Sequence, residues 1–246
     1  ITVDPYFSIW SAHDYLTDGH TTHWTGREHP LICLLRVDGK ACRVIGKDPF
    51  YTEPIRQSGL TVAPTRSIYL LENDSVELVL IFMTPLLLGD LDTLSRPVSY
   101  VTWEVRSRDG EPHEVALYLE VSALLTVDTP EQEVVGDRPD IDGLDVMRIG
   151  SKDQSVLAKK GDDVRIDWGY LYVAAPREEK LQTYLGNGDA GRGSLLTANP
   201  LPRPDDPGFP RPANQAFPAA VLLFELGQVG DTPMSRHVML AYDDIY

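Results

Sequence analysis

The chain has 246 residues, of which 42% are hydrophobic and 24% are charged. This composition is typical of a soluble globular protein with a sizeable core, and it excludes the disordered and fibrous classes. The 22 Lys and Arg residues against 37 Asp and Glu residues give a net charge of −15. Because such a surface repels phosphates, we expect no nucleic-acid partner. No apolar run approaches the roughly 20 residues that span a bilayer, so we expect no membrane span.

The N-terminal part of the chain, residues 1–66, is irregular, aromatic and rich in turns. It contains one clear hairpin at 31–45, where two apolar runs flank Asp38 and Gly39, a strong two-residue turn signal. We therefore predict a subregion (1–66) that wraps the main sandwich (67–246), the two forming a single β-sandwich unit.

The same turn fixes the expected state of the two cysteines. It pairs Leu35 with Cys42 and leaves Cys33 diagonal to Cys42, about 7–8 Å away on the same face. That separation exceeds comfortable disulfide reach, so we predict two free thiols that pack as small hydrophobic residues.

The centre of the chain alternates between apolar and polar residues. Runs at 66–71 and 76–83 predict a second hairpin. Alternating runs at 101–105 and 115–121, on either side of an Asp-Gly turn, predict a long third hairpin at 98–121. Trp103 shares the apolar face of this third hairpin, so we predict that it is buried. Further short strands are expected at 146–149, 164–174, 219–226 and 237–242. The fold class is therefore all-β: a large antiparallel, supersandwich-like β-sandwich of about ten or more strands with little helix and no convincing helix of ten residues.

Residues 176–218 differ in character from the rest. A short helix is a possibility at 177–185, but the Gly-rich and Pro-rich text that follows should not hold a strand ladder. We predict a long surface excursion that is either functional or docked on a neighbour. Its aromatic residues Phe209 and Phe217 are candidate interface residues.

Around His23, the residue types permit two interpretations. His20, His23 and His29 could coordinate zinc, but no complementary cysteine or carboxylate spacing accompanies them. A hydrogen-bonded structural loop is the favoured interpretation, and no metal ligand is predicted. Arg27 could pair with Trp24 through a cation–π contact or recognise a carboxylate, although a packed loop anchor is favoured.

Two other segments resemble ligand-binding loops. An acidic turn offers oxygen atoms suitable for calcium but lacks the spacing of an EF-hand, so a solvated loop is favoured; it comprises Asp137, Asp140, Asp142, Gly143 and Asp145. The glycine-rich segment 186–193 superficially suggests a phosphate cradle. We predict a flexible loop there, because the expected strand, helix and lysine signals are missing.

Exposed aromatic residues could form a platform for a sugar, since their rings stack on apolar ligand faces. The candidates are Tyr6, Trp10, Tyr15 and Trp24, with core packing favoured for most of them. No Gly-x-Ser-x-Gly elbow or recognisable pair of carboxylates nominates a catalytic group. We predict no catalytic residue and no cofactor in this chain.

Seven motifs, in order over nearly the whole chain, resemble the N-terminal region of the bacterial and fungal glutaminase A-like family. They are 5–10 (PYFSIW), 16–19 (LTDG), 22–27 (THWTGR), 90–100 (DLDTLSRPVSY), 129–135 (TPEQEVV), 167–172 (DWGYLY) and 241–246 (AYDDIY). The resemblance implies an exported parent protein, periplasmic or extracellular, whose signal peptide has been removed. It also implies that the parent hydrolyses L-glutamine to L-glutamate and ammonia.

In such parents an N-terminal β-sandwich precedes a helical α/α-toroid, where we place the active site. The resemblance therefore implies a non-catalytic structural module whose partner is the downstream helical domain of the same protein. The alternative is a carbohydrate- or peptide-binding module of a glycan-active enzyme, because fold does not settle function. A free-standing enzyme is the third hypothesis.

Overall fold

The predicted all-β class is confirmed. The computed structural model describes residues 1–47, 50 and 52–245. Asp48, Pro49, Tyr51 and Tyr246, which belong to the predicted wrapping segment and to the last motif, lie outside the described residues. Within the described part, 14 strands form a five-stranded sheet and a nine-stranded sheet. The two sheets pack face to face as a β-sandwich, and both contribute to one hydrophobic core.

The first sheet has the strand order β11-β13-β7-β1-β2, and the second has the order β12-β8-β9-β10-β14-β6-β5-β4-β3. The strands are β1 (Leu31–Val37), β2 (Lys40–Ile45), β3 (Arg56–Ala63), β4 (Arg66–Glu72), β5 (Val76–Met83), β6 (Val98–Ser107), β7 (His113–Ser122), β8 (Glu133–Asp137), β9 (Leu144–Ser151), β10 (Tyr170–Pro176), β11 (Leu181–Asn187), β12 (Arg211–Pro212), β13 (Pro218–Val229) and β14 (Met234–Asp243). The helical elements are α1 (Leu91–Leu94), a 3-10 turn (Ala123–Thr126) and α2 (Gly188–Thr197).

The first two predicted hairpins are confirmed. β1 pairs with β2 and sets Leu35 opposite Cys42, as the Asp38 turn requires. An irregularity after Cys33 sets that residue opposite Ile45, and both cysteines are free thiols. β4 pairs with β5 in the second hairpin. β3, which the sequence did not reveal, adds the edge strand of the nine-stranded sheet beside β4.

The predicted third hairpin is wrong, because β6 and β7 belong to different sheets. β6 lies between β5 and β14, whereas β7 lies between β1 and β13. The connection 108–112 crosses the sandwich, and five extended residues can span the separation of about 10 Å between packed sheets. Trp103 is buried as predicted and faces Phe224 across the core, with ring centroids 6.4 Å apart.

The predicted excursion is also structured in its first half. Residues 181–187 form β11 rather than a helix, and Gly186 and Asn187 complete its ladder with β13. The next ten residues form α2, whose first turn is capped by the Asn187 side chain accepting a hydrogen bond from the amide of Asp189. The Asn-Gly-Asp sequence is therefore a helix start, a role for which Asn is well suited.

α2 covers the outer face of the five-stranded sheet and creates a second, smaller core. This core comprises Ile32, Leu34, Ala116, Tyr118, Tyr184, Leu195, Leu201, Ala219, Val221 and Leu223. Because this face is covered, the central strands of this sheet are buried on both sides. No described helix is both long and apolar enough to cross a membrane.

Candidate functional site

One end of the five-stranded sheet carries a charged cavity of about 350 Å³. Here β1 and β13 begin, β7 and β11 end, and α2 starts. The cavity is lined by His20, Glu28, Pro30, Ile32, Lys47, Glu120, Ser122, Leu124, Asp189, Arg192 and Phe217. We call this the Glu120 cavity. Its volume is at the lower end of the range for small-molecule sites, about 300–1,000 Å³.

A buried ion pair forms the floor of the Glu120 cavity. Glu120 on β7 and Arg192 on α2 are almost fully buried, and Arg192 Nη1 lies 2.5 Å from Glu120 Oε2. The hydroxyl of Tyr118 donates to the same carboxylate oxygen at 2.8 Å. Asp189 contacts the other terminal nitrogen of Arg192. The described residues offer hydrogen bonds to Oε2 of Glu120, and none of these hydrogen bonds reaches Oε1.

The pair has opposing electrostatic effects. Burial raises the pKa of Glu120, and the facing guanidinium of Arg192 counteracts part of this rise. Burial acts to lower the pKa of Arg192, but the negative charge of Glu120 reverses this effect, so the pKa of Arg192 is raised. Arg192 is therefore permanently charged, and at neutral pH it favours the carboxylate form of its partner.

The glycines of α2 explain how a helix approaches the sheet this closely. A Cβ atom added at Gly188 would lie 2.4 Å from Oε1 of Glu120. One added at Gly191 would lie 2.8 Å from the hydroxyl oxygen of Tyr118. Glycine at these positions therefore brings Arg192 within reach of Glu120, at some cost in helix propensity.

His20 and Lys47 also line the cavity. The backbone amide of Lys47 lies 3.5 Å from Nδ1 of His20. Burial lowers the pKa of His20, with nearby Glu28 opposing and Lys47 and Arg192 adding to the effect. His20 is therefore a neutral hydrogen-bonding group at pH 7, whereas Lys47 supplies a positive charge.

Phe217 was predicted as an interface candidate, and it lies at the rim of the Glu120 cavity. Its side chain is 53% exposed. Ala216 and Phe217 have positive φ angles of 57° and 41°, which residues other than glycine rarely adopt. This backbone turns the ring outward immediately before β13 begins. Phe209, the other candidate, instead packs against the main core and lies under the guanidinium of Arg211, 5.0 Å from the ring centroid.

A second cavity of about 310 Å³ adjoins the first and shares Glu28 and Leu124 with it. Arg27 and His29 line it, together with a buried ionic network. In this network Arg165 Nη2 lies 2.8 Å from Asp128 Oδ1. Lys159 joins the carboxylate groups of Asp128 and Asp167 at 2.6 and 2.9 Å.

The three histidines considered as zinc ligands do not form one group. His23 and His29 are buried with ring centroids 5.1 Å apart, whereas His20 lies on the wall of the Glu120 cavity. Nδ1 of His29 donates to the carbonyl of Ser8 at 2.9 Å, and burial lowers the pKa of His29 to about 3. No group of three or more His, Cys, Asp or Glu residues that could hold a metal occurs among residues 1–47, 50 and 52–245.

The aromatic candidates occupy different environments. Tyr6 packs edge-on against Trp168 with ring centroids 5.3 Å apart. Trp24 is half exposed, and its indole nitrogen donates to the carbonyl of Pro5 at 2.7 Å. Trp10 and Tyr15 are also half exposed. Trp10 lines a groove beside β3 and β4, and neither Tyr15 nor Trp24 is among the residues that line this groove.

The two loop candidates are also placed by the structure. In the acidic turn between β8 and β9, Asp137 pairs with Arg148 and Asp145 lies 3.5 Å from Arg177. The segment 186–193 does have a strand before it and a helix after it, contrary to the sequence prediction. Asp189 and the neighbouring Glu120 make this helix start anionic, which disfavours a phosphate.

Sequence reasoning missed Glu120 and Arg192, the centre of the cavity. The only signal at Glu120 is a carboxylate that interrupts an apolar run in β7. Arg192 lies 72 residues further along the chain, in a segment too rich in glycine to be predicted as a helix. Their association follows from the sheet topology, which local sequence patterns do not encode.

Comparison with known proteins now places the chain in a family. The model of a family described as a domain of unknown function (DUF5127) matches residues 65–246, most of the chain. The chain belongs to the DUF5127 family. The region before this DUF5127 match, residues 1–57, matches a second domain of unknown function (DUF4964).

A curated relative of this DUF5127 protein is Glutaminase A of Aspergillus oryzae, which is 24% identical over 242 residues. The alignment covers 92% of the chain but 33% of the relative, so the chain spans about a third of the relative's length. The resemblance to glutaminase A-like proteins that the motifs predicted is confirmed. The relative contains further sequence beyond the part that this DUF5127 chain matches.

Two solved structures are similar to this DUF5127 chain at low scores. One, described as "Putative kojibiose phosphorylase from human microbiome", has a TM-score of 0.44 and 9% identity, covering 97% of the chain and 26% of that structure. The other, described as a "Putative aldose 1-epimerase" from Escherichia coli K12, has a TM-score of 0.36 and 10% identity, covering 99% and 83%. Nothing about function follows from similarity at this level.

Proposed function

We propose that this chain is the non-catalytic N-terminal structural module of a glutaminase A-like hydrolase and packs on a downstream helical catalytic domain. The observation that carries this proposal is the coverage of the relative. Nearly all of the chain aligns with only a third of Glutaminase A. The sequence also lacks any recognisable spacing of nucleophile and base.

A surface suitable for such packing lies beside the edge strand β3. Two adjoining cavities, of about 370 and 280 Å³, share Trp10 and Phe82 and form a groove. We call this the Trp10 groove. Its apolar lining includes Leu60 and Val62 of β3, both exposed. Leu86 lines the smaller cavity and is followed by two further exposed leucines.

The Trp10 groove carries more exposed apolar surface than a solvated edge needs, since large contiguous patches of this kind mark interaction sites. Val62 is 73% exposed and Leu86 is 49% exposed. The occupant that we propose is the helical domain of the same polypeptide. Docking there would also cover β3, whose unpaired edge otherwise invites association with other chains.

An activity assay tests the proposed non-catalytic role. Purified 246-residue chain should release no ammonia from L-glutamine, whereas the complete parent polypeptide should do so. Turnover by the chain alone that follows the protein peak through purification would refute the non-catalytic role. Absence of turnover by the complete polypeptide would refute the glutaminase-like activity of the parent.

A matched pair of variants tests the docking surface. Val62 faces the groove opposite Ser67, whereas Thr61 is exposed on the other face of β3 opposite Ile68. Val62→Asp should leave the melting temperature of the isolated chain nearly unchanged and lower that of the complete polypeptide, because an interface anchor stabilises only a docked partner. Thr61→Asp should change neither. Equal effects of Val62→Asp on both proteins would contradict docking in the Trp10 groove.

A carbohydrate- or peptide-binding module is the second candidate function. It is favoured by the half-exposed rings of Trp10, Tyr15 and Trp24, since exposed aromatic rings suit the apolar faces of sugars. A glycan array probed with the chain tests it. Binding that disappears in Trp10→Ala or Trp24→Ala would establish this second function, and absence of binding would eliminate carbohydrates.

A further inference from the structure

The Glu120 cavity combines three kinds of lining that belong to no role described above. Its acidic side is formed by Glu120 and Asp189, which Arg192 joins. The lining also includes Lys47 and His20, which lie beside each other. Its remaining walls include the apolar side chains of Ile32, Leu124 and Phe217.

The charges of the lining favour a ligand that carries a positive group at one end. The carboxylates of Glu28, Glu120 and Asp189 outnumber the cationic groups of Lys47 and Arg192, which leaves one net negative charge. Arg192 already contacts two of the carboxylates. Oε1 of Glu120 accepts no hydrogen bond from any described residue, so a strong acceptor is available at the floor.

The rim offers the complementary group. The side chains of Glu28 and Lys47 make no hydrogen bond with the part of the chain that the structure describes, and both are exposed. A ligand whose ammonium group is attracted to the acidic side could therefore also place a carboxylate against the free ammonium group of Lys47. The apolar side chains in the lining suit a ligand whose own side chain carries no charge.

We propose that the Glu120 cavity binds a free α-amino acid, whose ammonium group meets Glu120 and whose carboxylate meets Lys47. The apolar walls select a side chain without charge. The inference does not rest on the proposed function, because a binding site of this kind requires no hydrolysis and shares no lining residue with the Trp10 groove.

Isothermal titration calorimetry of the 246-residue chain tests this inference, with L-leucine as the probe. L-leucine has no net charge, so the overall charge of −15 does not attract it non-specifically. L-leucine amide lacks the carboxylate, and N-acetyl-L-leucine lacks the ammonium group. Saturable binding of L-leucine is expected, with each analogue at least about tenfold weaker because one charge-assisted hydrogen bond is lost.

Variants at the rim separate the two ends of the ligand. Lys47→Ala should weaken L-leucine binding at least about tenfold and leave L-leucine amide binding unchanged. Lys40→Ala, an exposed lysine at the other end of β2, is the matched control and should alter neither affinity. Equal affinity of Lys47→Ala and the unaltered chain for L-leucine would overturn the assignment of the carboxylate end.

Variants at the floor test the ammonium end. Glu120→Gln should abolish binding, whereas Glu225→Gln should not, although Glu225 also pairs with a buried arginine, Arg36, on the same sheet. Should Glu120→Gln fail to fold, the exposed Glu28→Gln serves instead, with an expected loss of at least about threefold. Saturable binding of D-glucose, or no heat with L-leucine at about 10 mM, would overturn the proposal.

Discussion

Replacing Trp103 with alanine tests the central packing of the sandwich. The indole is 1% exposed, lies opposite Leu80 of the neighbouring strand and faces Phe224 of the other sheet. A buried aromatic side chain removes about 150–250 Å² from water, worth about 4–6 kcal/mol at 25 cal/mol per Å². Because this figure is an upper estimate, we expect a loss of about 3–5 kcal/mol in the free energy of unfolding.

For a chain of this length, such a loss lowers the melting temperature by about 6–20 °C. Differential scanning calorimetry measures it, with Trp10→Ala as the control because Trp10 is half exposed. The control should lose less than half as much stability. A Trp103→Ala variant that melts within about 2 °C of the unaltered chain would refute the assignment of Trp103 to the core.

Two further predictions concern the cysteines and a histidine. Thiol titration of the unfolded chain without reductant should find two free thiols, Cys33 and Cys42. The reason is that the register of the β1–β2 hairpin does not set these cysteines opposite each other. A titration that finds no free thiol would contradict that register. His113 contacts Asp38 at 2.6 Å and Asp109 at 3.0 Å, and these carboxylates raise the pKa of His113. The hydrogen bond with His113 lowers the pKa of Asp38, whereas the pKa of Asp109 is lowered first by the backbone amide of Glu111 and then by His113. The free energy of unfolding should therefore exceed that of the His113→Gln variant most clearly below about pH 6.5. This difference should shrink as the pH rises through the raised pKa of His113, and also as the pH falls towards the Asp109 pKa of about 2. A difference that does not depend on pH would contradict the ion pairs.

The elements that could be predicted from local sequence are those in which the alternation of apolar and polar residues determines which side chains are buried. The β1–β2 hairpin followed from a turn with two positive φ angles, at Asp38 and Gly39. Trp103 followed from its position between two apolar neighbours of β6. In both cases the informative residues lie within a few positions of one another, so no knowledge of the sheet order was needed.

The assignment of strands to sheets could not be predicted in the same way. Alternating apolar residues in β6 and β7 show that each strand faces a core, but a hairpin and two facing sheets produce the same pattern. α2 was missed because three of its ten residues are glycines, and contacts distant in sequence hold it. Arg36 of β1, for example, donates to the carbonyl of Leu195 from 159 positions away. The Glu120 cavity depends on the same distant contacts.

Because α2 covers β7, substitutions should be tolerated less well in β7 than in β6. β6 alternates between buried and half-exposed or exposed positions, so every second residue can vary without entering the core. β7 is buried at nine of its ten positions because one face meets the main core and the other meets α2. In a saturation mutagenesis experiment that measures the abundance of the protein, every second position of β6 should tolerate substitution. Tolerance in β7 should be uniformly low from Val115 to Ser122, the signature of a strand buried on both faces.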